Sequence, residues 1–148
     1  MHKVRPGWLI FAAVILPSCA AIDDDRNIAA CGGSHRLRVV DLDMSPDPIA
    51  EGQRINRWLV RLRADASGEC RTVIRIRDAS GDEVGRERVF RLRPGNNEIE
   101  IENNDRYRFS RSEHCFQVIA DIAGTPKPID AARRFCAKQT EGRRWSMG

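Results

Sequence analysis

The chain has 148 residues, 41% of them hydrophobic and 31% charged, with a formal net charge of +4. This length suits one domain, or a domain behind a processed leader, and the composition permits a packed core rather than wholesale disorder. No apolar run approaches the roughly 20 residues that a bilayer-spanning helix needs. Neither a polytopic helical membrane protein nor a large multidomain enzyme is expected.

The first 19 residues read MHKVRPGWLIFAAVILPSC. Lys3 and Arg5 form a basic start, and Trp8 to Leu16 is an apolar run of nine residues. This is a secretory signal pattern, too short to span a membrane as a helix. Its ending, Leu16-Pro17-Ser18-Cys19, resembles the bacterial lipobox. That resemblance implies that the Cys19 thiol receives a diacylglyceryl group, that residues 1–18 are removed, and that the new amine is acylated, palmitate being a typical chain. Several acyl chains make a durable anchor, because each buried methylene contributes about 0.8 kcal/mol. Ala20 follows the cysteine, and by the family's sorting rule a residue other than Asp there directs the protein to the outer membrane, facing the periplasm. Residues 19–34 then read as a tether containing Asp23, Asp24 and Asp25.

Loss of residues 1–18 removes Lys3 and Arg5 and leaves 23 cations against 21 anions. So small an excess does not indicate strong attraction to nucleic acid. An export signal argues against a nucleic-acid partner as well.

Five cysteines are present. Lipidation accounts for Cys19. Cys31, Cys70, Cys115 and Cys136 remain, an even number in an exported chain, which implies two disulfides. There is no C-x-x-C pair, and His35 and His114 lie far apart, so no metal and no cofactor are expected.

From His35 the chain becomes a series of short alternating segments separated by turn residues. HRLRVVDLDM ends at Ser45-Pro46-Asp47-Pro48. RINRWLVRLRA (54–64) ends at Ala66-Ser67-Gly68, and CRTVIRIRD (70–78) at Ser80-Gly81-Asp82. EVGRERVFRLR (83–93) precedes a turn at Pro94-Gly95-Asn96-Asn97, and EIEIE (98–102) precedes a polar stretch. HCFQVIADIA (114–123) turns at 124–128, and 129–137 closes the domain. Trp58, Val60 and Leu62 alternate with arginines, as do Thr72, Ile74 and Ile76, while Ile99 and Ile101 alternate with glutamates. Period-2 alternation marks half-buried antiparallel strands. The expectation is an all-β fold, a seven-stranded antiparallel immunoglobulin-like sandwich over residues 35–137, with 138–148 as a polar tail. Trp58 is expected between the sheets, and Trp145 in the tail. Strand direction also selects the disulfides. Strands one to three bring Cys31 and Cys70 to one end. Across the last hairpin facing residues keep a constant sum, which sets Cys115 opposite Cys136.

The run from Ser45 to Ala137 resembles bacterial immunoglobulin-like modules of the CARDB type, which are adhesion-related. The resemblance lies in Glu51-Gly52-Gln53 after the Pro-rich entry, in the turn from Arg91 to Asn97, and in the strand from His114 to Asp121. It implies an adhesive or spacer role and supplies no catalytic residues.

Of the 25 cations, 22 are arginine. Arg61 and Arg63, Arg75 and Arg77, and Arg91 and Arg93 occupy solvent-facing positions of three strands. They form a candidate anion-binding face for carboxylates or phosphates of an envelope polymer, because the guanidinium fork binds such groups bidentately. The bland alternative is cross-strand pairing with Glu87, Glu98, Glu100 and Glu102. No G-x-S-x-G, H-E-x-x-H or Gly-rich phosphate loop is present, so no enzyme is expected. Asp121 and Asp130 are expected to cap or solvate the last turn, and His114 to sit at a strand edge. The resulting expectation is a lipid-anchored, non-catalytic envelope module. Its partners would be the membrane, through the anchor, and an envelope polymer or protein. The alternative is a periplasmic protein-binding inhibitor or chaperone, for example a lysozyme inhibitor.

Overall fold

The computed structural model of the chain describes residues 27–32, 36–65, 67–104, 107–123 and 128–148. The leader, Cys19, most of the tether and His35 lie outside the described residues, as does the side chain of Asp130. Nine strands form among the described residues: β1 (Arg36–Ser45), β2 (Ile49–Ala50), β3 (Arg57–Asp65), β4 (Cys70–Asp78), β5 (Arg88–Leu92), β6 (Gly95–Glu102), β7 (Glu113–Ile122), β8 (Pro128–Thr140) and β9 (Arg144–Met147). One sheet has the order β1-β3-β6 and the other β2-β9-β8-β7-β4-β5, with every strand pair antiparallel.

The alternation in the sequence becomes the two faces of each sheet. On β3, Trp58, Val60, Leu62 and Ala64 are buried while Arg57, Arg61, Arg63 and Asp65 are exposed. On β4, Cys70, Thr72, Ile74 and Ile76 point inward. On β7 the inward set is His114, Phe116, Val118 and Ala120. These inward residues join in one core, and Trp58 meets Phe116 of the other sheet with ring centroids 4.7 Å apart. The architecture is thus a two-sheet β-sandwich, as expected, but with nine strands rather than seven.

Of the two added strands, β2 lies inside the expected domain and β9 beyond it. β8 continues past Ala137 to Thr140, Gly142 and Arg143 turn the chain with positive φ (71° and 53°), and β9 returns beside it. Residues 138–148 are therefore not a loose polar tail. Trp145 is 2% exposed, stacks on Phe109 and donates its indole N–H to the Arg111 carbonyl at 2.6 Å. β2 pairs with it through Ile49, which is fully buried. Four residues of alternation, with exposed arginines before them, make too short a pattern to stand out in the sequence.

Two further boundaries differ from expectation. Only Arg88–Leu92 of the 83–93 segment is a ladder strand. Residues 83–86 instead cross the opening between the sheets, with Val84 N–H bonded to Ile76 O and Arg86 N–H to Glu102 O. A glycine is needed there, since a Cβ at Gly85 would stand 2.9 Å from Ile101 Cγ2. The expected turn at 94–97 lies mostly inside β6, because Arg93-Pro94 alone carries the chain from one sheet to the other.

Candidate functional site

Strand directions define two ends of the sandwich. One end gathers the start of β1, the end of β3, the start of β4, the end of β5 and the start of β6. The N-terminal segment enters at this end. It lies parallel to β4, where Cys31 N–H bonds to Arg71 O at 2.7 Å and Arg71 N–H to Ala29 O at 2.9 Å. The Arg71 guanidinium also donates to Ile28 O, and Gly32 reaches Ile122 where β7 stops. Residues 27–32 thus lie against the larger sheet through a single parallel bridge, in the place beside β4 that β7 vacates.

Two disulfides hold the ends. Cys31 is bonded to Cys70 with a Cα separation of 4.9 Å, and Cys115 to Cys136 with 4.0 Å. These are the two pairs expected from strand direction, and Cys115 faces Cys136 directly in the β7–β8 register. Cys31 and Cys70 are core residues, whereas Cys115 and Cys136 lie on the outward face of the larger sheet. The Glu113 carboxylate and the sulfurs of Cys115 and Cys136 lie within 4.8 Å of one another. With both sulfurs in a disulfide, no thiolate ligand is presented there.

The six arginines of the candidate anion face do not share a face. Arg61 and Arg63 stand on β3 in the smaller sheet, Arg75 and Arg77 on β4, and Arg91 on β5 in the larger, with Arg93 just beyond it. The outward surfaces of the two sheets point in opposite directions. Arg61 is held from both sides, by Asp41 of β1 at 3.1 Å and Glu98 of β6 at 3.0 Å. Arg75 is paired with Asp121 and lies 3.7 Å from Glu87 and 3.9 Å from Glu83. Its side chain is only 21% exposed. Asp121, expected to cap or solvate the last turn, is buried beneath that guanidinium instead. Arg77 approaches Glu83 at 3.7 Å, and Arg91 and Arg93 share Glu69. Cross-strand pairing with carboxylates is therefore the local chemistry of these positions.

The opposite end is built around His114. It is buried, so it is no strand-edge residue, because position 114 shares the inward parity of Phe116, Val118 and Ala120. Its Nε2 accepts backbone N–H groups of Ser110 and Arg111, both at 2.9 Å. Nδ1 therefore carries the proton and donates to the Tyr107 hydroxyl 2.5 Å away. Tyr107, Phe109, Phe116 and Trp145 ring the imidazole or one another. Burial first, then Asp78, pushes the Tyr107 phenol up to about 12. Burial, then Arg111, lowers the His114 pKa from its ordinary value. His114 thus closes the 107–112 loop over the core as a neutral acceptor.

This arrangement has a pH consequence. Between the lowered folded-state pKa and the unfolded value of about 6.5, the unfolded chain binds more protons. The histidine's contribution is therefore full above about pH 6.5 and is lost as the pH falls below it. Melting temperatures measured from pH 7.5 to 5.0 should fall with acidification, and the slope should be shallower in His114→Gln, which is less stable at pH 7.5. An unchanged slope in that variant would reject this account.

A cleft of about 410 Å³ beside the outward disulfide is lined by Asp78, Ala79, Cys115, Phe116, Gln117 and Arg134. Another of about 380 Å³ is lined by Asp78, Asp82, Glu83, Val84, Asn104 and Tyr107. Both lie at the end away from the tether.

No family model matches the chain, and no curated protein matches it.

Sequence reading missed Trp145 and the inward place of His114. The signal for His114 was available: three apolar residues follow it at alternate positions. Trp145 carried no comparable signal, because its strand is four residues long.

Proposed function

We propose that this chain is a bacterial lipoprotein whose folded domain is an immunoglobulin-like envelope module, non-catalytic and held to the outer membrane through acylated Cys19. The observation that carries the reading is the ending Leu16-Pro17-Ser18-Cys19 behind a nine-residue apolar run. Two disulfides suit the oxidising compartment to which such a leader sends a chain. The strand order supports the immunoglobulin-like part. With β1, β3 and β6 as strands A, B and E, β4, β7 and β8 become C, F and G, and β5 lies beside C. The CARDB-like role of adhesion or spacing fits a domain whose residues 27–32 are tied to its sheet by a bridge and a disulfide. The alternative, a periplasmic inhibitor or chaperone for a protein client, has one observation in its favour. β5 is an edge strand, and its Val89 is 56% exposed.

Metabolic labelling with a fatty-acid analogue tests the anchor. The wild type should carry label and sediment with membranes. Cys19→Ser should carry none and appear in the soluble periplasm. An unlabelled wild type rejects the lipoprotein reading. Co-purification tests the alternative, because an inhibitor should retain one enzyme partner in fixed stoichiometry.

A further inference from the structure

The two disulfides differ in access. Cys31 and Cys70 are 1% and 0% exposed and lie in the core. Cys115 and Cys136 face each other across β7 and β8 on the outward surface of the larger sheet. Cys115 lines the cleft of about 410 Å³, and Cys136 is half-buried. On its outward row Cys136 lies between two exposed cations, Arg134 and Lys138. Cations so placed favour a thiolate, and a sulfur that leaves as a thiolate leaves faster in thiol–disulfide exchange. Opening this bridge need not open the fold. β7 and β8 also pair on both sides of it, Glu113 with Lys138 and His114 with Ala137, then Phe116 with Phe135 and Gln117 with Arg134.

A third donor stands beside the two sulfurs. Glu113 precedes Cys115 by two residues on the same outward row, and one of its oxygens and both sulfurs lie within 4.8 Å of one another. Two thiolates and a carboxylate are a donor set for zinc, with a fourth position left to water. We propose that Glu113, Cys115 and Cys136 form a redox-gated zinc site, closed while the cysteines are bridged and formed once a dithiol has reduced them. A thiolate of the dithiol attacks Cys115 Sγ at the cleft, and the S–S bond breaks with its electron pair leaving on Cys136. The second sulfur of the reductant then displaces Cys115 from the mixed disulfide. The reductant ends as a disulfide, and the protein as a dithiol that has gained two electrons and two protons. Zinc takes both sulfurs as thiolates and releases those protons to solvent. Rotation about the Cα–Cβ bonds brings the freed sulfurs to the ~3.8 Å spacing set by two Zn–S bonds of about 2.3 Å. The loaded site holds three anionic donors against a divalent ion, and Arg134 and Lys138 offset the excess negative charge. The site does not depend on the lipid anchor.

The test uses the purified full chain with Cys19→Ser, which removes the one cysteine outside the two bridges. Dithiothreitol is applied under native conditions and removed without air, and thiols are mapped by alkylation and mass spectrometry. Cys115 and Cys136 should carry label while Cys31 and Cys70 stay bridged. A circular dichroism melt should still show a cooperative fold. Zinc titrated against a chromophoric chelator should bind the reduced protein at one ion per chain, and the bridged protein about a hundredfold more weakly or not at all. Cobalt(II) in place of zinc should give a thiolate charge-transfer band that Cys115→Ser/Cys136→Ser lacks. Glu113→Gln should keep the band and bind zinc roughly tenfold more weakly. Resistance of both bridges to the dithiol, labelling of all four cysteines together, or loss of the fold on reduction overturns the proposal. So does zinc binding that is absent, equal in the bridged and reduced forms, or unchanged in Glu113→Gln.

Discussion

Trp58→Ala is expected to remove about 3–5 kcal/mol of stability, a large share of the ~5–15 kcal/mol that a domain of this size holds. Trp58 is fully buried and joins three parts of the fold. Its ring meets Phe116 across the sandwich at 4.7 Å. Its indole N–H is shared between Asn103 Oδ1 at 3.1 Å and Val84 O at 3.3 Å. Asn103 closes the end of β6, and Val84 belongs to the segment that bridges β4 and β6. Alanine would open a cavity between the sheets and leave both acceptors without this donor. Trp58→Phe separates the two effects, since it keeps most of the ring volume and loses only the N–H. It should cost about 1–3 kcal/mol, the penalty for stranded buried acceptors. Urea unfolding followed by far-UV circular dichroism measures both. A loss under about 1 kcal/mol for alanine would mean that the two sheets are held together elsewhere.

The residues that made the sandwich legible are those with two unequal faces. Trp58, Val60 and Leu62 against arginines, or Ile74 and Ile76 against arginines, leave one choice of inward face, and the structure uses it. The same parity places His114 with Phe116 and Val118. Parity does not say which sheet a strand joins. Arg61 and Arg75 look alike in sequence, yet they stand on different sheets with different carboxylates. Strand order decides those neighbours, and order comes from packing over the whole chain. Burial of an outward residue is equally hidden: Asp121 has outward parity, yet it is buried and paired with the Arg75 side chain. β2 and β9 were illegible for another reason. Two and four residues cannot express a period, so their place depends on Ile49 and Trp145 finding the same edge of the core.

Removing Cys31–Cys70 is expected to destabilise the fold more than removing Cys115–Cys136. The bridges close loops of 39 and 21 residues. Chain entropy alone then assigns about 4 kcal/mol to the first and about 3 kcal/mol to the second. Burial widens the gap. Both sulfurs of the first pair lie in the core, so Cys31→Ala/Cys70→Ala also leaves a void there, while the second pair lies on an outward sheet face. The first bridge has a second duty as well. Apart from it, segment 27–32 is held by a few backbone bonds around Arg71, and such a short parallel contact is weak alone. Its loss should therefore free the tether. Two measurements check the argument. Urea unfolding of the two double-alanine variants should rank them in the stated order. Limited proteolysis under native conditions should cut near residues 27–32 in Cys31→Ala/Cys70→Ala only. If that variant unfolds at equilibrium, proteolysis is uniform along the chain and the ranking still stands. A reversed ranking, or a protected N-terminal segment in a folded Cys31→Ala/Cys70→Ala, would mean that the parallel contact with β4 holds the tether without its bridge.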